Sequence, residues 1–137
     1  MLEKEVAKTT LASKTSFDPR HVLGKSGENL AVDFLEKKGF EILFRNYKTR
    51  YGELDIICRD GEFIVFIEVR TKKHAIFGHP FDTVNWKKQG KIIRMAQMFL
   101  CMENIPGSTP CRFDVIGIIS DNKEFPAISH IENAFQA

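Results

Sequence analysis

Two acidic residues a hairpin's length apart carry most of the chemical promise of this chain. Asp55 lies in Gly52-Glu53-Leu54-Asp55, and Glu68 lies in Phe66-Ile67-Glu68-Val69-Arg70. Side chains alternate along a strand, so Glu53 and Asp55 share one side of the first stretch, and Glu68, Arg70 and Lys72 share one side of the second. If the turn at Asp60-Gly61 pairs the two strands, two carboxylates and a basic group converge. Paired carboxylate oxygens suit a hard divalent cation, and a cation beside a donor suits a phosphate. The chemistry this anticipates is nuclease-like.

The ordinary alternative is a solvated strand face with weak cross-strand ion pairs. Asp55 and Glu68 instead sit among Ile, Val and Phe, where a carboxylate needs a partner or a metal. Glu28 lies near a helix start, where the dipole alone accounts for an acid. Glu53 reads as a supporting residue rather than a ligand. Arg112 and Asp114 on a late strand read as a structural ion pair, and Trp86 at a helix start reads as packing. His21, His74, His79 and His130 are not spaced as a metal set.

These residues must be positioned by elements the sequence also marks. A helix is expected from about Ser26 to Lys38, with Leu30, Ala31, Phe34 and Leu35 as its apolar stripe and Gly39 ending it. Strands follow over Phe40–Phe44, Glu53–Cys58 and Glu62–Arg70, with Asn46–Gly52 as polar turn material. The third strand is apolar on both faces and belongs at the centre of its sheet. Gly78 and Pro80 mark a loop over Lys73–Phe81, and a longer helix runs from about Val84 to Met102. Arg112–Ile119 is a further strand and Ala127–Ile131 a last one. The first three strands form a meander, and the strand after the second helix returns parallel to the third.

The totals frame this. The chain has 137 residues, 43% of them hydrophobic with 12 Phe, which suffices for one domain with its own core. Residues 1–20, rich in Lys, Thr, Ser and Ala, read as a flexible arm, leaving 21–137 as a single domain. Cys58, Cys101 and Cys111 lack CxxC spacing and read as reduced, mostly buried small hydrophobes of a cytoplasmic protein. The acidic start does not resemble a signal peptide, and no apolar run is long enough for a membrane span. A net charge of +2 does not itself announce a nucleic-acid binder, so local clusters must carry that expectation. Arg45, Lys48 and Arg50 form one cluster, Lys72 and Lys73 another, and Lys87, Lys88, Lys91 and Arg94 recur along one side of the second helix. They can grip backbone phosphates, with no recognition helix or stacking platform evident.

The element order αβββαβ is the core of the PD-(D/E)xK, or restriction-endonuclease-like, superfamily. Within it, Gly27-Glu28-Asn29-Leu30-Ala31, Arg45-Asn46-Tyr47, Gly52-Glu53-Leu54-Asp55-Ile56-Ile57, Phe66-Ile67-Glu68-Val69-Arg70-Thr71 and Arg112-Phe113-Asp114-Val115 resemble the YraN-like family of bacterial proteins. The chain is also similar to archaeal-type Holliday-junction resolvases, which carry a Glu on the first helix. The resemblance implies an α/β fold with a mixed central sheet flanked by helices. It implies that Asp55, Glu68 and the Val69 carbonyl hold Mg²⁺ or Mn²⁺, with Glu28 joining directly or through water. Gln89, together with Lys88, would face the site from the second helix. One departure stands out: where the superfamily has Lys two residues after the Glu, this chain has Arg70, with Lys72 one pleat further along. Arg stays charged and abstracts protons poorly, though it clamps phosphate well.

The expected function is therefore metal-dependent cleavage of structured or branched DNA in repair or recombination, with a homodimer implied by the resolvases alone. The alternative is a nucleic-acid-binding or scaffolding protein on the same fold, its cleavage weakened or lost because of Arg70.

Overall fold

The computed structural model describes residues 26–73, 84–120 and 126–137. The expected arm at 1–20 and most of the expected loop after Lys73, with His21, His74 and His79, lie outside the described residues. Helix α1 is Ser26–Lys37, followed by strands β1 (Glu41–Thr49), β2 (Gly52–Asp60) and β3 (Phe63–Lys72). Helix α2 (Trp86–Met102) precedes β4 (Cys111–Ile119) and β5 (Ala127–Phe135). The five strands form one sheet in the order β1-β2-β3-β4-β5. All neighbours are antiparallel except β3 and β4, which run parallel across the α2 connection. The α/β class, the meander, the parallel return and the central place of β3 match the sequence expectation.

Each helix covers one face of the sheet. Ala31, Val32 and Leu35 of α1 pack with Ile56, Val65, Ile67, Ile116 and Ile118. On the other face Ile92, Met95, Ala96 and Phe99 of α2 pack with Ile57, Ile64, Phe66, Phe113 and Val115. Both sets follow from period: 3.6 along the helices, 2 along the strands. Helix α1 closes with Gly39 at φ +93°, and the Phe40 N–H reaches back to the Leu35 carbonyl at 3.0 Å. That closure turns the chain directly into β1.

Three expectations are corrected. The polar stretch after Phe44 is not a turn, because β1 continues to Thr49. Tyr47 pairs opposite Leu54, and its ring meets Phe44 at 5.5 Å and Phe99 at 5.2 Å, so one aromatic anchors a segment whose other residues are polar. Strand β5 runs to Phe135 rather than Ile131, because Phe135 stacks on Phe113 with ring centroids 5.2 Å apart. Trp86 does not pack: it is 78% exposed at the start of α2. Cys58 is buried as expected, whereas Cys101 is exposed.

Candidate functional site

The site begins where two strands part. Pairing between β2 and β3 runs from Asp60↔Phe63 to Ile56↔Ile67 and stops, while β3 stays paired with β4 as far as Lys72. The Ile64 N–H bonds to Pro110 beside β4, so the alternating residues Val65, Ile67 and Val69 direct their backbone groups towards β2. At Val69 no β2 backbone meets them. The Val69 N–H instead donates to Asp55 Oδ2 at 2.8 Å, and its carbonyl faces the same gap.

Asp55 and Glu68 come together across this opening, close enough for the charge of Glu68 to act on Asp55. Glu68 is 6% exposed and shares a strand face with Ile64 and Phe66. Burial, then the negative charge of Glu68, push the Asp55 carboxyl up to about 7; the Val69 N–H opposes this and Glu28 adds to it. Two cations meet at Glu68 Oε2, Arg70 Nη1 at 3.2 Å and Lys88 Nζ at 3.4 Å. Lys88 arrives from the first turn of α2, where the Asn85 side chain caps its N–H at 2.9 Å.

Glu28 approaches from the other layer. A Cβ on Gly27 would lie 2.5 Å from Thr71 Oγ1, so glycine there lets the start of α1 lie close against β3. Glu28 Oε1 accepts from Asn46 Nδ2 at 2.8 Å and Arg45 Nη2 at 3.3 Å. The same Arg45 nitrogen also donates to Asn29 at 2.6 Å. Glu28 is thus near enough to act on Asp55 but is held by Arg45 and Asn46. Among the described residues, no three His, Cys, Asp or Glu side chains gather in metal-holding geometry. The site is a carboxylate pair with a third acid standing off.

The other anticipated residues are dispersed. Gln89 Nε2 donates to the Val84 carbonyl at 3.1 Å, turned back along its own helix. Arg45 is engaged in docking α1, Lys48 and Arg50 are exposed, and Lys72 is half-buried. Asn46 escaped the sequence reading. Its left-handed φ of 53° within β1 was the kind of conformation an Asn foretells, and it brings the amide to Glu28.

A second polar cluster is built into the α1 face of the sheet. Asp114 is fully buried and accepts from Arg112 Nε at 2.9 Å, Arg112 Nη2 at 3.0 Å and the Asn133 N–H at 2.9 Å. Its fourth partner is His130 Nε2 at 2.8 Å. Lys38 Nζ faces His130 Nδ1 at 2.9 Å; an ammonium can only donate, so Nδ1 accepts and Nε2 carries the hydrogen. Burial would raise the Asp114 carboxyl, but the bonds from His130, Arg112 and Asn133 prevail and hold it below the usual range. The expected Arg112–Asp114 ion pair is present, extended by Asp60 at 2.9 Å.

Fold and site together define a restriction-endonuclease-like α/β domain with a carboxylate pair, one buried and one half-buried, where its central strands diverge. Residues 27–118 match Uncharacterised protein family UPF0102, and the chain belongs to that family. A UPF0102 protein of Thermodesulfovibrio yellowstonii is 48% identical over 113 residues, covering 82% of this chain and 95% of its own length. Relatives in Chlorobium phaeobacteroides (46%, covering 88% and 98%) and Persephonella marina (43%, covering 83% and 93%) are similar over almost their whole lengths. No helix among the described residues is long and apolar enough to cross a membrane.

Proposed function

We propose that the Asp55–Glu68 pair is the divalent-metal centre of an endonuclease acting on structured or branched DNA. The observation that carries this is the meeting of the buried Glu68 carboxylate with the half-buried Asp55 carboxylate, which desolvation first and the charge of Glu68 second push up to about 7. A polar pair so placed is either a shared-proton pair or an ion site. The donor set fits Mg²⁺ or Mn²⁺: two carboxylates, with the Val69 carbonyl facing the same gap, leave room for several waters in an octahedral shell. When bound, such an ion would lower the pKa of a water and neutralise phosphate charge.

The chain's own groups supply the rest. Arg70 holds a phosphate oxygen and stabilises developing negative charge. Lys88, 3.4 Å from Glu68 Oε2, brings an ammonium to the site from α2. Glu28, fixed by Arg45 and Asn46, keeps a further negative charge beside Asp55 and bonds water at the margin of the site.

The test is incubation of branched and linear DNA with Mg²⁺ or Mn²⁺. Cutting that disappears in Asp55→Ala and Glu68→Ala while binding persists supports the proposal. A second reading has one observation in its favour: Arg70 and Lys88 both bond the carboxylate that a metal would need. On that reading the protein binds nucleic acid or serves as a scaffold without cutting, and no metal restores cleavage.

A further inference from the structure

The β1–β2 turn and the outer flank of α2 meet in an open concavity of about 340 Å³ lined by Arg50, Tyr51, Arg94, Gln97, Met98 and Cys101. The turn is seated on the helix, since the Met95 sulfur lies 3.7 Å from where a Cβ on Gly52 would be. The guanidinium carbons of Arg50 and Arg94 stand 5.8 Å and 5.3 Å from the centre of the Tyr51 ring. Among the described residues no carboxylate pairs with either. Two guanidiniums brought together without an anion repel; the negative face of the ring offsets part of that and orders both. The arrangement is complementary to a phosphate, which takes planar, forked donors from more than one side.

The surroundings extend the match. Lys87, Lys91 and Arg94 are all exposed and follow one another at i, i+4 and i+7, a basic row on one helix flank. The row begins at the end of α2 where Lys88 meets Glu68. Six residues separate Lys88 from Arg94, about 9 Å along the helix axis. That is two or three nucleotides at roughly 3.4 Å per step of a strand.

We infer that Arg50, Tyr51 and Arg94 form a backbone-phosphate subsite for a nucleic-acid strand, a few nucleotides from the Asp55–Glu68 pair. Its place relative to a cut bond rests on the proposed nuclease function; its phosphate chemistry does not. The residues come from two elements 43 positions apart in sequence, which is why no stacking or clamping platform is visible in the sequence itself.

The experiment is fluorescence anisotropy of a labelled single-stranded oligonucleotide with the full chain in EDTA, where cutting plays no part. Arg50→Ala/Arg94→Ala is expected to weaken binding roughly tenfold or more near 0.1 M salt, and to make the log–log salt dependence shallower by about 0.7, the change for one lost phosphate contact on a single strand. Tyr51→Phe retains binding, and Tyr51→Ala weakens it several-fold. The oligonucleotide also slows alkylation of exposed Cys101 in the wild-type chain but not in the double variant. Unchanged affinity and slope in a double variant that still melts like wild type overturn the inference. So does an equal loss in Lys37→Ala, on the opposite face of the sheet, or displacement of the strand by a mononucleotide at micromolar concentration. Absence of cleavage, by contrast, bears only on the nuclease proposal.

Discussion

Arg70 and Lys88 contend for one oxygen, Glu68 Oε2, at 3.2 Å and 3.4 Å. They differ in what they can do there. A guanidinium never gives up its proton in this setting, whereas an ammonium can be tuned towards proton transfer. Restoring the superfamily's residue by Arg70→Lys should therefore raise metal-dependent cutting, by roughly tenfold or more if proton transfer limits the rate. Lys88→Ala should lower it while leaving the melting temperature almost unchanged, because the half-buried Lys88 adds little stability of its own while Arg70 still pairs with Glu68. Rates measured on one branched substrate check both. A fall in cutting with Arg70→Lys would mean that the phosphate clamp, not the proton, matters most at this position.

At the scale of elements, Asp114 ties three strands and a helix end together. It accepts from Arg112 on its own strand β4 and from β5 through His130 and Asn133, while Arg112 reaches Asp60 of β2 and His130 reaches Lys38 after α1. Removing Arg112 leaves a fully buried carboxylate short of its cation, so Arg112→Ala should cost about 3–5 kcal/mol in urea unfolding. The pH dependence has a definite sign. The Asp114 carboxyl lies below its usual value in the folded state, so the native protein binds the proton less readily than the unfolded chain. Its stabilisation is present above about pH 4, the unfolded value, and is lost as pH falls through the lower folded value. Arg112→Ala should flatten the acid limb of the stability curve as well as lower it.

This cluster shows what a sequence makes legible. The Arg112–Asp114 pair could be read because i and i+2 share a strand face, and Asp55 with Glu68 because a hairpin joins their strands. Helix positions followed from period, and so did the central β3. The extension of β1 could not be read: Arg45-Asn46-Tyr47-Lys48-Thr49 is polar, and Tyr47, against Phe44 and Phe99, is its one apolar anchor. His130 and Asn46 took their roles from partners 92 and 18 positions away, distances at which local pattern carries no information, and the place of Lys88 facing the site came from the family resemblance alone. Trp86 was misread because amphipathic spacing gives a face but not the point at which a helix outruns its sheet.

For the whole molecule the carboxylate pair is a source of instability that a metal would relieve. Asp55 is pushed up to about 7, so between the unfolded value of about 3.9 and that point the native state holds a proton that the unfolded chain has lost. Stability then falls as pH rises through this window and levels off above it, the opposite sign to Asp114. Metal-free protein should accordingly lose stability from pH 5 to pH 8 through this pair, and Asp55→Asn should remove that loss. Mn²⁺ bound only by the folded state adds about 2.7 kcal/mol at a hundredfold excess over its dissociation constant, a rise of roughly 10 °C in melting temperature for a chain this size. Ligation requires Asp55 without its proton, so the rise should be large at pH 8 and small at pH 5. Calorimetry at both pH values, with Mn²⁺ and with EDTA, measures it. A metal-induced rise of the same size in Asp55→Asn would assign binding to other residues, and no rise at pH 8 in the wild-type chain would leave the pair as a shared-proton contact with no part in phosphodiester chemistry.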